Sequence, residues 1–211
     1  MTHPFLTQLT KHHPVLAAIV SRETIDLLDT YVALLLKWNP KVNLIGPSTA
    51  SDVWDRHILD SLQLAPLIPT THRVLDMGSG AGLPGIPLAV LGYAVTMVES
   101  DTRKAIFIQE AIRACGLTDR VRVLPIRMEA LNEEKFDTIC ARALAPLSEL
   151  CAHAYPHLAT NAQCLFPKGE RYRIEKEDAA KSWQFNSHEH SSASHSQSVI
   201  CQLTGVRPAA I

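Results

Sequence analysis

The glycine-rich stretch at residues 74–85 constrains the fold more than any other part of the sequence. It reads VLDMGSGAGLPG, so an apolar segment runs into closely spaced glycines and then into residues of helical character. Glycine adopts positive φ angles without strain and lets a ligand lie against the main chain. A strand that turns through such glycines into a helix is typical of the first unit of a nucleotide-binding α/β domain.

Strand and helix patterns alternate around and after this turn. Apolar segments predict strands at residues 72–77, 94–98, 121–125, 136–141 and 163–166, with helices between them at 85–91, 102–115 and 146–158. This order predicts an α/β fold with a mostly parallel, Rossmann-like sheet covered by helices on both faces. Right-handed crossovers bring the carboxyl ends of the strands to one edge, where sheets of this kind bind ligands.

The N-terminal part of the chain has a helical pattern instead. Residues 5–65 are predicted to be helical, and Ser21 is placed at the start of the longest helix. Pro40 is expected to end that helix, because a proline disfavours the helical state in the residue before it. A second helix is predicted at residues 52–64.

These patterns divide the chain into a helical extension at residues 1–70, packed on the core, and a ligand-binding domain at residues 71–211. Near the C-terminus, residues 182–198 are rich in serine and histidine. This segment is interpreted either as part of two strands, at 183–186 and 199–203, and the turn that joins them, or as a mobile loop.

The glycine stretch fits two cofactor motifs. Residues 80–85 match the dinucleotide motif G-x-G-x-x-G, whereas Asp76 with Gly78, Gly80 and Gly82 matches the acidic pattern of S-adenosylmethionine sites. Gly78 stands where the strand ends. The carboxylate of Asp76 would attract the sulfonium and ammonium groups of S-adenosylmethionine but repel a pyrophosphate. The motif therefore favours S-adenosylmethionine, with an NAD-dependent oxidoreductase or a turn without a ligand as the alternatives.

Two more residues follow predicted strands at the same edge. Glu99 ends the second strand, 21 residues after Gly78, where a carboxylate can accept both ribose hydroxyls of either cofactor. Met128 follows the third strand, where the adenine would lie. It either packs on the ring or fills the core.

The glycine stretch and several spaced blocks resemble one family, the glucose-inhibited division protein B family. Its members are bacterial methyltransferases that act on N7 of a guanine in 16S ribosomal RNA. The resemblance covers about residues 25–170. The matching blocks are LDMGSGAGLPGIPL at 75–88, Trp38-Asn39 with Asn43-Leu44, Arg56-His57 with Asp60-Ser61-Leu62, Glu99 with Lys104, Arg127 with Glu129, Phe136-Asp137 with Ala141-Arg142-Ala143, and Lys168-Gly169.

The resemblance implies a class I methyltransferase fold that binds S-adenosyl-L-methionine and acts on small-subunit ribosomal RNA or a ribosomal particle. It places these residues at cofactor-contacting positions: Gly78, Leu83, Met128, Glu129 and Arg142. Guanine N7 carries a lone pair and no proton, so the reaction needs positioning rather than a general base. The segment after residue 176 departs from the family pattern.

Residues at two strand ends and on one helix are candidates for substrate binding. Arg142, after the fourth strand, is expected to position the cofactor or an RNA phosphate, with a surface salt bridge as the alternative. Lys168 either holds a phosphate or is solvated. Arg56 and His57 lie on a predicted helix and either face RNA or belong to its packed stripe.

Composition limits the remaining possibilities. The net charge of −1 gives no support for nucleic-acid binding, although it allows a local basic face. Five scattered cysteines without a C-x-x-C pair predict buried thiols and no metal site. We expect a cytoplasmic monomer without a membrane segment. A small-molecule methyltransferase and a non-enzymatic adenosylmethionine-binding assembly protein are the other candidates.

Overall fold

A seven-stranded sheet forms the centre of the structure, a computed structural model that describes residues 3–209. Its strands are β1 Arg73–Met77, β2 Ala94–Val98, β3 Val121–Leu124, β4 Phe136–Cys140, β5 Leu158–Lys168, β6 Trp183–Ser191 and β7 Val199–Pro208. Their order across the sheet is β3-β2-β1-β4-β5-β7-β6. β1 to β5 are parallel, and β7 runs antiparallel to both of its neighbours. The predicted mostly parallel, Rossmann-like α/β sheet is confirmed.

The C-terminal hairpin is longer than the sequence indicated. β6 extends through Ser191, whereas its pattern predicted a strand only to residue 186. His188 pairs with Gln202 and Ser191 with Val199, so main-chain pairing with β7 orders the histidine-rich segment. The mobile-loop interpretation is therefore wrong for residues 187–191. The sequence of residues 187–191 does not alternate between apolar and polar residues, so it carried no strand signal. The reason is that β6 is the edge strand and most of its side chains face solvent.

Helices cover the sheet and form the N-terminal extension. They are α1 Pro4–His12, α2 Pro14–Ala17, α3 Arg22–Val42, a π-helix at Trp54–Leu59, α4 Asp60–Leu62, α5 Gly85–Val90, α6 Thr102–Ala114, α7 Leu147–Ala154 and α8 Tyr172–Ala179. Ser21 caps α3 by accepting a hydrogen bond from the Thr24 amide, as the sequence predicted.

The prediction that Pro40 ends α3 is wrong. The helix continues to Val42 and ends at Asn43, which adopts a left-handed conformation with φ 54°. Pro40 stands in the last turn, where its missing amide removes only one helical hydrogen bond. The Asn43 amide still bonds the Asn39 carbonyl, so the final turn closes.

The predicted helix at residues 52–64 forms largely as a π-helix, Trp54–Leu59. A π-helix widens the turn and changes the direction of the side chains that follow it, and such turns are common at functional sites. Here it carries His57 inward, where the side chain is buried, while Arg56 stays exposed.

Both faces of the sheet are buried. Alternate residues of β1 contribute to opposite sides, with Val74 in the core under α3, α5 and α6 and Leu75 in the core under α7. The core that holds Val74 also contains Phe5 and Leu28 of the N-terminal helices. The division into domains at residue 70 stays a prediction. All five cysteines are buried and none forms a disulfide. In residues 3–209, no helix has the length and apolar character to cross a membrane.

Candidate functional site

The glycine loop between β1 and α5 requires glycine at three positions. Gly78, Gly80 and Gly82 have φ angles of 63°, 57° and 78°, a region that favours glycine. At Gly82 the space is also closed, since a Cβ atom there would lie 2.5 Å from Cδ1 of the buried Ile86. The loop therefore exposes main chain at the carboxyl edge of the sheet.

Asp76 lies beneath this loop rather than beside an open cleft. Its side chain is fully buried, and Oδ2 accepts a hydrogen bond of 3.0 Å from the Gly85 amide at the start of α5. Oδ1 has no partner among residues 3–209. Burial raises the pKa of Asp76 to about 7, so its charge is sensitive to any cation that binds nearby.

Two buried side chains fix the loop from outside. Tyr31 of α3 donates a hydrogen bond of 2.7 Å from its hydroxyl to the carbonyl of Ala81. Glu99 accepts a bond of 2.7 Å from the Gly80 amide through Oε2, and another of 2.7 Å from the Asp101 amide through Oε1. Each carboxylate oxygen has a second lone pair, so Glu99 can still accept a ligand hydroxyl. Sequence reasoning missed Tyr31, although it belongs to the apolar stripe of α3.

A small cavity of about 190 Å³ opens beside the loop and the end of β2. Gly78, Val98, Met128, Glu129 and Leu144 contribute to its wall. Met128 is buried in the core below the sheet and also lines this cavity, so the core interpretation is confirmed and packing on the adenine ring stays a prediction. Leu83, by contrast, lies in the hydrophobic core and does not line this cavity.

A larger cavity of about 520 Å³ adjoins the first. The ionisable side chains that line it are Arg56, His57, Asp60, Arg142, Lys168 and Glu175. The predicted substrate residues from the helical extension and from two strand ends are therefore brought together. Leu144 lines this cavity as well as the small one, so the two spaces meet at that side chain.

Arg142 is held by the N-terminal extension. Its Nη1 lies 3.3 Å from Oδ2 of Asp60 and 3.3 Å from the carbonyl oxygen of Arg56, and its Nη2 donates to Nδ1 of His57. The surface salt bridge considered from sequence is instead a largely buried one, with 17% and 16% of the two side chains exposed. The sequence named Asp60 only as part of a block that matches the family and gave it no role, because its partner lies 82 residues away.

His57 is a neutral hydrogen-bonding group in this arrangement. Burial, followed by the charges of Arg142 and Arg56, lowers its pKa to about 4. Because Nδ1 accepts from Arg142, Nε2 carries the proton and donates to the Thr49 hydroxyl at 2.8 Å. His57 thus fixes the guanidinium without adding charge.

Lys168 forms a buried ion pair. Its Nζ lies 2.6 Å from Oε2 of Glu175 and donates to the Ala145 carbonyl at 2.9 Å, and only 10% of the side chain is exposed. The solvated alternative is wrong, because the end of β5 faces α8. Glu175 also accepts from the Leu147 amide at 3.1 Å. The sequence suggested only that Glu175 interrupts a basic run.

Charge is therefore distributed unequally across the site. Two carboxylates, Asp76 and Glu99, contact the glycine loop and the first residue of α5. The wall of the larger cavity holds three cationic side chains, those of Arg56, Arg142 and Lys168, against the two carboxylates of Asp60 and Glu175, so it keeps one net positive charge. Among the described residues, no group of three histidine, cysteine or acidic side chains could hold a metal ion. This arrangement fits a cationic nucleoside at the loop and an anionic substrate in the larger cavity.

Comparisons with known proteins agree with this geometry. The family model GidB, described as rRNA small subunit methyltransferase G, matches residues 24–204. A ribosomal RNA small subunit methyltransferase G from Ruegeria sp. is 42% identical over 193 residues, which are 89% of this chain and 93% of the relative. One of the same description from Paramagnetospirillum magneticum is 47% identical over 166 residues, 78% of this chain and 80% of the relative.

A solved structure supports the fold. A TehB-like SAM-dependent methyltransferase from Corynebacterium glutamicum superimposes with a TM-score of 0.56 at 18% identity, over 74% of this chain and 92% of that chain. At this identity the likeness concerns the fold alone.

Proposed function

The chain belongs to the GidB family, rRNA small subunit methyltransferase G, and from that premise we propose that its site methylates N7 of one guanine in small-subunit ribosomal RNA. It is an S-adenosylmethionine-dependent rRNA methyltransferase. The family relationship does not favour a small-molecule methyltransferase or a non-enzymatic assembly protein. We propose in addition that the methylated atom is N7 and that the residues below have the roles described. We also propose that the protein is a cytoplasmic monomer.

The glycine loop fits S-adenosyl-L-methionine. Main chain at Gly80 is available to a ligand, whereas that of Gly78 lies under the Leu144 side chain. Glu99 has free lone pairs for ribose hydroxyls, and the orphaned Oδ1 of Asp76 suits a nearby cation. Met128 and Glu129 would hold the adenine in the small cavity. When bound, the cofactor supplies an electrophilic methyl group on a positively charged sulfur.

Gly82 and Leu83, unlike Gly80 and Glu99, are not proposed to contact the cofactor. Both lie where the loop turns into α5, and the Leu83 amide bonds the Ser79 carbonyl at 3.0 Å. Their role is to shape the loop rather than to touch the ligand. Asp76 likewise acts from below, through the Gly85 amide and through its charge.

The single observation that carries the N7 assignment is the neutral His57 held by Arg142 in the larger cavity. A nitrogen that carries no proton needs no base, and a histidine with a pKa near 4 that already accepts a hydrogen bond is a poor one. The cavity instead offers positioning. Arg142 and Arg56 can hold phosphates while the base lies toward the loop.

The function is tested with small ribosomal subunits, and their naked RNA, from cells that lack this gene. Transfer of a tritiated methyl group should label one guanine, and chain cleavage specific for 7-methylguanine should map it. Labelling at any other atom by an active enzyme would reject the N7 assignment. Comparison of the methylation rates on naked RNA and on small subunits from the same cells shows which of the two is the substrate.

Cofactor binding should depend on pH through Asp76. A bound cation lowers the pKa of this carboxyl from about 7, so binding releases a proton and becomes tighter as the pH rises. A group of that pKa gives about tenfold tighter binding at pH 8 than at pH 6. Calorimetric titration with S-adenosylmethionine at several pH values measures this.

Asp76→Asn is the matched control, since its amide oxygen can still accept from the Gly85 amide. This variant should bind more weakly at pH 8 and lose most of the pH dependence. Any slope that remains belongs to the ligand's own groups. An unchanged slope in Asp76→Asn would contradict the coupling.

A further inference from the structure

Leu144 is a large aliphatic side chain at the junction of the two cavities. It is 40% exposed. It contributes to the wall of both the 190 Å³ and the 520 Å³ cavity. A Cβ atom added to Gly78 would lie 2.5 Å from Cδ1 of Leu144, so this side chain covers the main chain of Gly78.

The loop that carries Leu144 is clamped on both sides. On one side Arg142 is bound to Asp60 and His57 of the N-terminal extension. On the other side the Ala145 carbonyl accepts from Lys168, and the Leu147 amide donates to Glu175.

Between these anchors, Ala143 has a φ angle of 52°, in the left-handed region that non-glycine residues rarely adopt. The main chain is thereby set in an uncommon conformation that directs Leu144 back over Gly78. The Leu144 side chain has other staggered rotamers that it can adopt while the anchored main chain stays in place.

The position of Leu144 conflicts with a ligand on the glycine loop. A nucleoside in the small cavity whose amino-acid end reaches the larger cavity must pass Leu144, which lines both spaces and covers Gly78. Leu144 has to leave Gly78 to allow this. The space open to it is the larger cavity, where the substrate base would enter.

We propose that Leu144 is a positioning residue that gates the cofactor loop and, once displaced, packs against the substrate base. This inference rests on the proposed function, since it assigns the base to the larger cavity. The displaced side chain supplies an apolar surface beside Arg142 and limits how far the base can move from the loop. Cofactor binding then completes the base-binding cavity.

The gate has opposite effects on the two steps. If the Leu144 rotamer that leaves Gly78 free is a minor population, the apparent cofactor affinity is reduced in proportion to the fraction of molecules in that rotamer. Truncation of the Leu144 side chain removes this reduction. Truncation also removes the surface that orients the base, so transfer slows. A merely structural role would weaken both steps.

The experiment compares wild type, Leu144→Ala and Leu144→Met with Ile106→Ala, a control at a similarly exposed aliphatic side chain on α6 that lines neither cavity. Calorimetry measures S-adenosylmethionine affinity without RNA, and single-turnover methylation measures the transfer rate. Leu144→Ala should bind cofactor at least about threefold tighter and transfer about tenfold more slowly. Leu144→Met, of similar volume, should transfer at close to the wild-type rate, and Ile106→Ala should match wild type in both.

Unchanged or weaker cofactor affinity in Leu144→Ala overturns the proposal, and so does an unchanged transfer rate. Thermal unfolding identifies a variant that fails to fold, and in that case Leu144→Met, with its more flexible side chain, should still bind cofactor more tightly. The binding measurement needs no RNA. Methylation at an atom other than guanine N7 would therefore reject the proposed function while leaving the gate testable.

Discussion

Replacement of Gly82 by alanine is expected to weaken cofactor binding by roughly 100-fold and to lower the free energy of unfolding by about 3 kcal/mol. The φ angle of 78° strains any L-residue. The new Cβ would also lie 2.5 Å from Cδ1 and 2.9 Å from Cγ1 of Ile86, whose side chain is fully buried. The loop must shift to relieve both contacts.

A shift of the loop moves the groups that a ligand would contact. Gly80, whose amide is bonded to Glu99, is two residues away, so its main chain moves with Gly82. A loss of about 3 kcal/mol of binding free energy corresponds to roughly 100-fold in affinity. Calorimetry with S-adenosylmethionine and urea unfolding measure the two effects separately.

Gly116→Ala is the matched control for the backbone strain. Gly116 has a φ angle of 64° at the end of α6, and an added Cβ would meet nothing within 4 Å. This variant should lose about 1 kcal/mol of stability and keep normal cofactor affinity. Equal affinities for Gly82→Ala and wild type would show that the loop does not hold the cofactor.

The second large effect is expected from Arg142→Met. Methionine approximates the length of the aliphatic part but leaves Asp60 as a largely buried carboxylate without its cation. His57 also loses its donor at Nδ1. We expect the transfer rate to fall by about 100-fold or more, since the proposed positioning of phosphates and the hydrogen bonds in this part of the cavity depend on this guanidinium.

Asp60→Asn tests whether Arg142 acts through its position. The asparagine keeps a side chain of the same shape for Gln63 and Ser194, which contact Oδ1 of Asp60. Arg142 keeps the Arg56 carbonyl and His57, so the loss should be smaller, about tenfold. Arg113→Met, at an exposed pair with Glu110, should leave the rate unchanged.

Single-turnover methylation of small-subunit RNA measures these rates, with cofactor affinity measured in parallel. Arg142→Met should change the transfer rate far more than the affinity, since most of its contacts lie in the larger cavity. A rate within threefold of wild type, in a folded variant, would exclude Arg142 from the reaction.

The C-terminal hairpin connects to the same centre. Ser194 donates a hydrogen bond of 2.7 Å to Oδ1 of Asp60, and the Ala193 amide donates to Gln63 at 2.6 Å. The turn after β6 thus supports the carboxylate that holds Arg142. The segment after residue 176 was expected to depart from the family pattern, yet the family model matches through residue 204. The composition of this segment left open a turn between two strands or a mobile loop.

Several predictions from the sequence missed the surroundings of a residue, because each was based only on the neighbouring residues in the chain. Asp76 was expected to face the ligand, yet the helix that follows the loop covers it, and Gly85 takes one of its oxygens. Pro40 carries a helix-ending signal, but its place in the final turn makes that signal weak. Lysine is a residue type that is usually exposed, so the sequence did not predict that Lys168 is buried. Only the packing of α8 on the sheet brings its partner, Glu175, next to it.

The sequence by itself determined the strand order along the chain, the glycine loop and the acidic residues at two strand ends. These features depend on neighbouring residues, since hydrophobic periodicity and the allowed φ angles are local properties. Tertiary structure alone decided which distant side chains meet. Arg142 and Asp60 are 82 residues apart and Ser194 and Asp60 are 134 apart, and no local rule selects such pairs. It also decided the charge state of Asp76 and His57, because a pKa depends on how completely the rest of the chain excludes water.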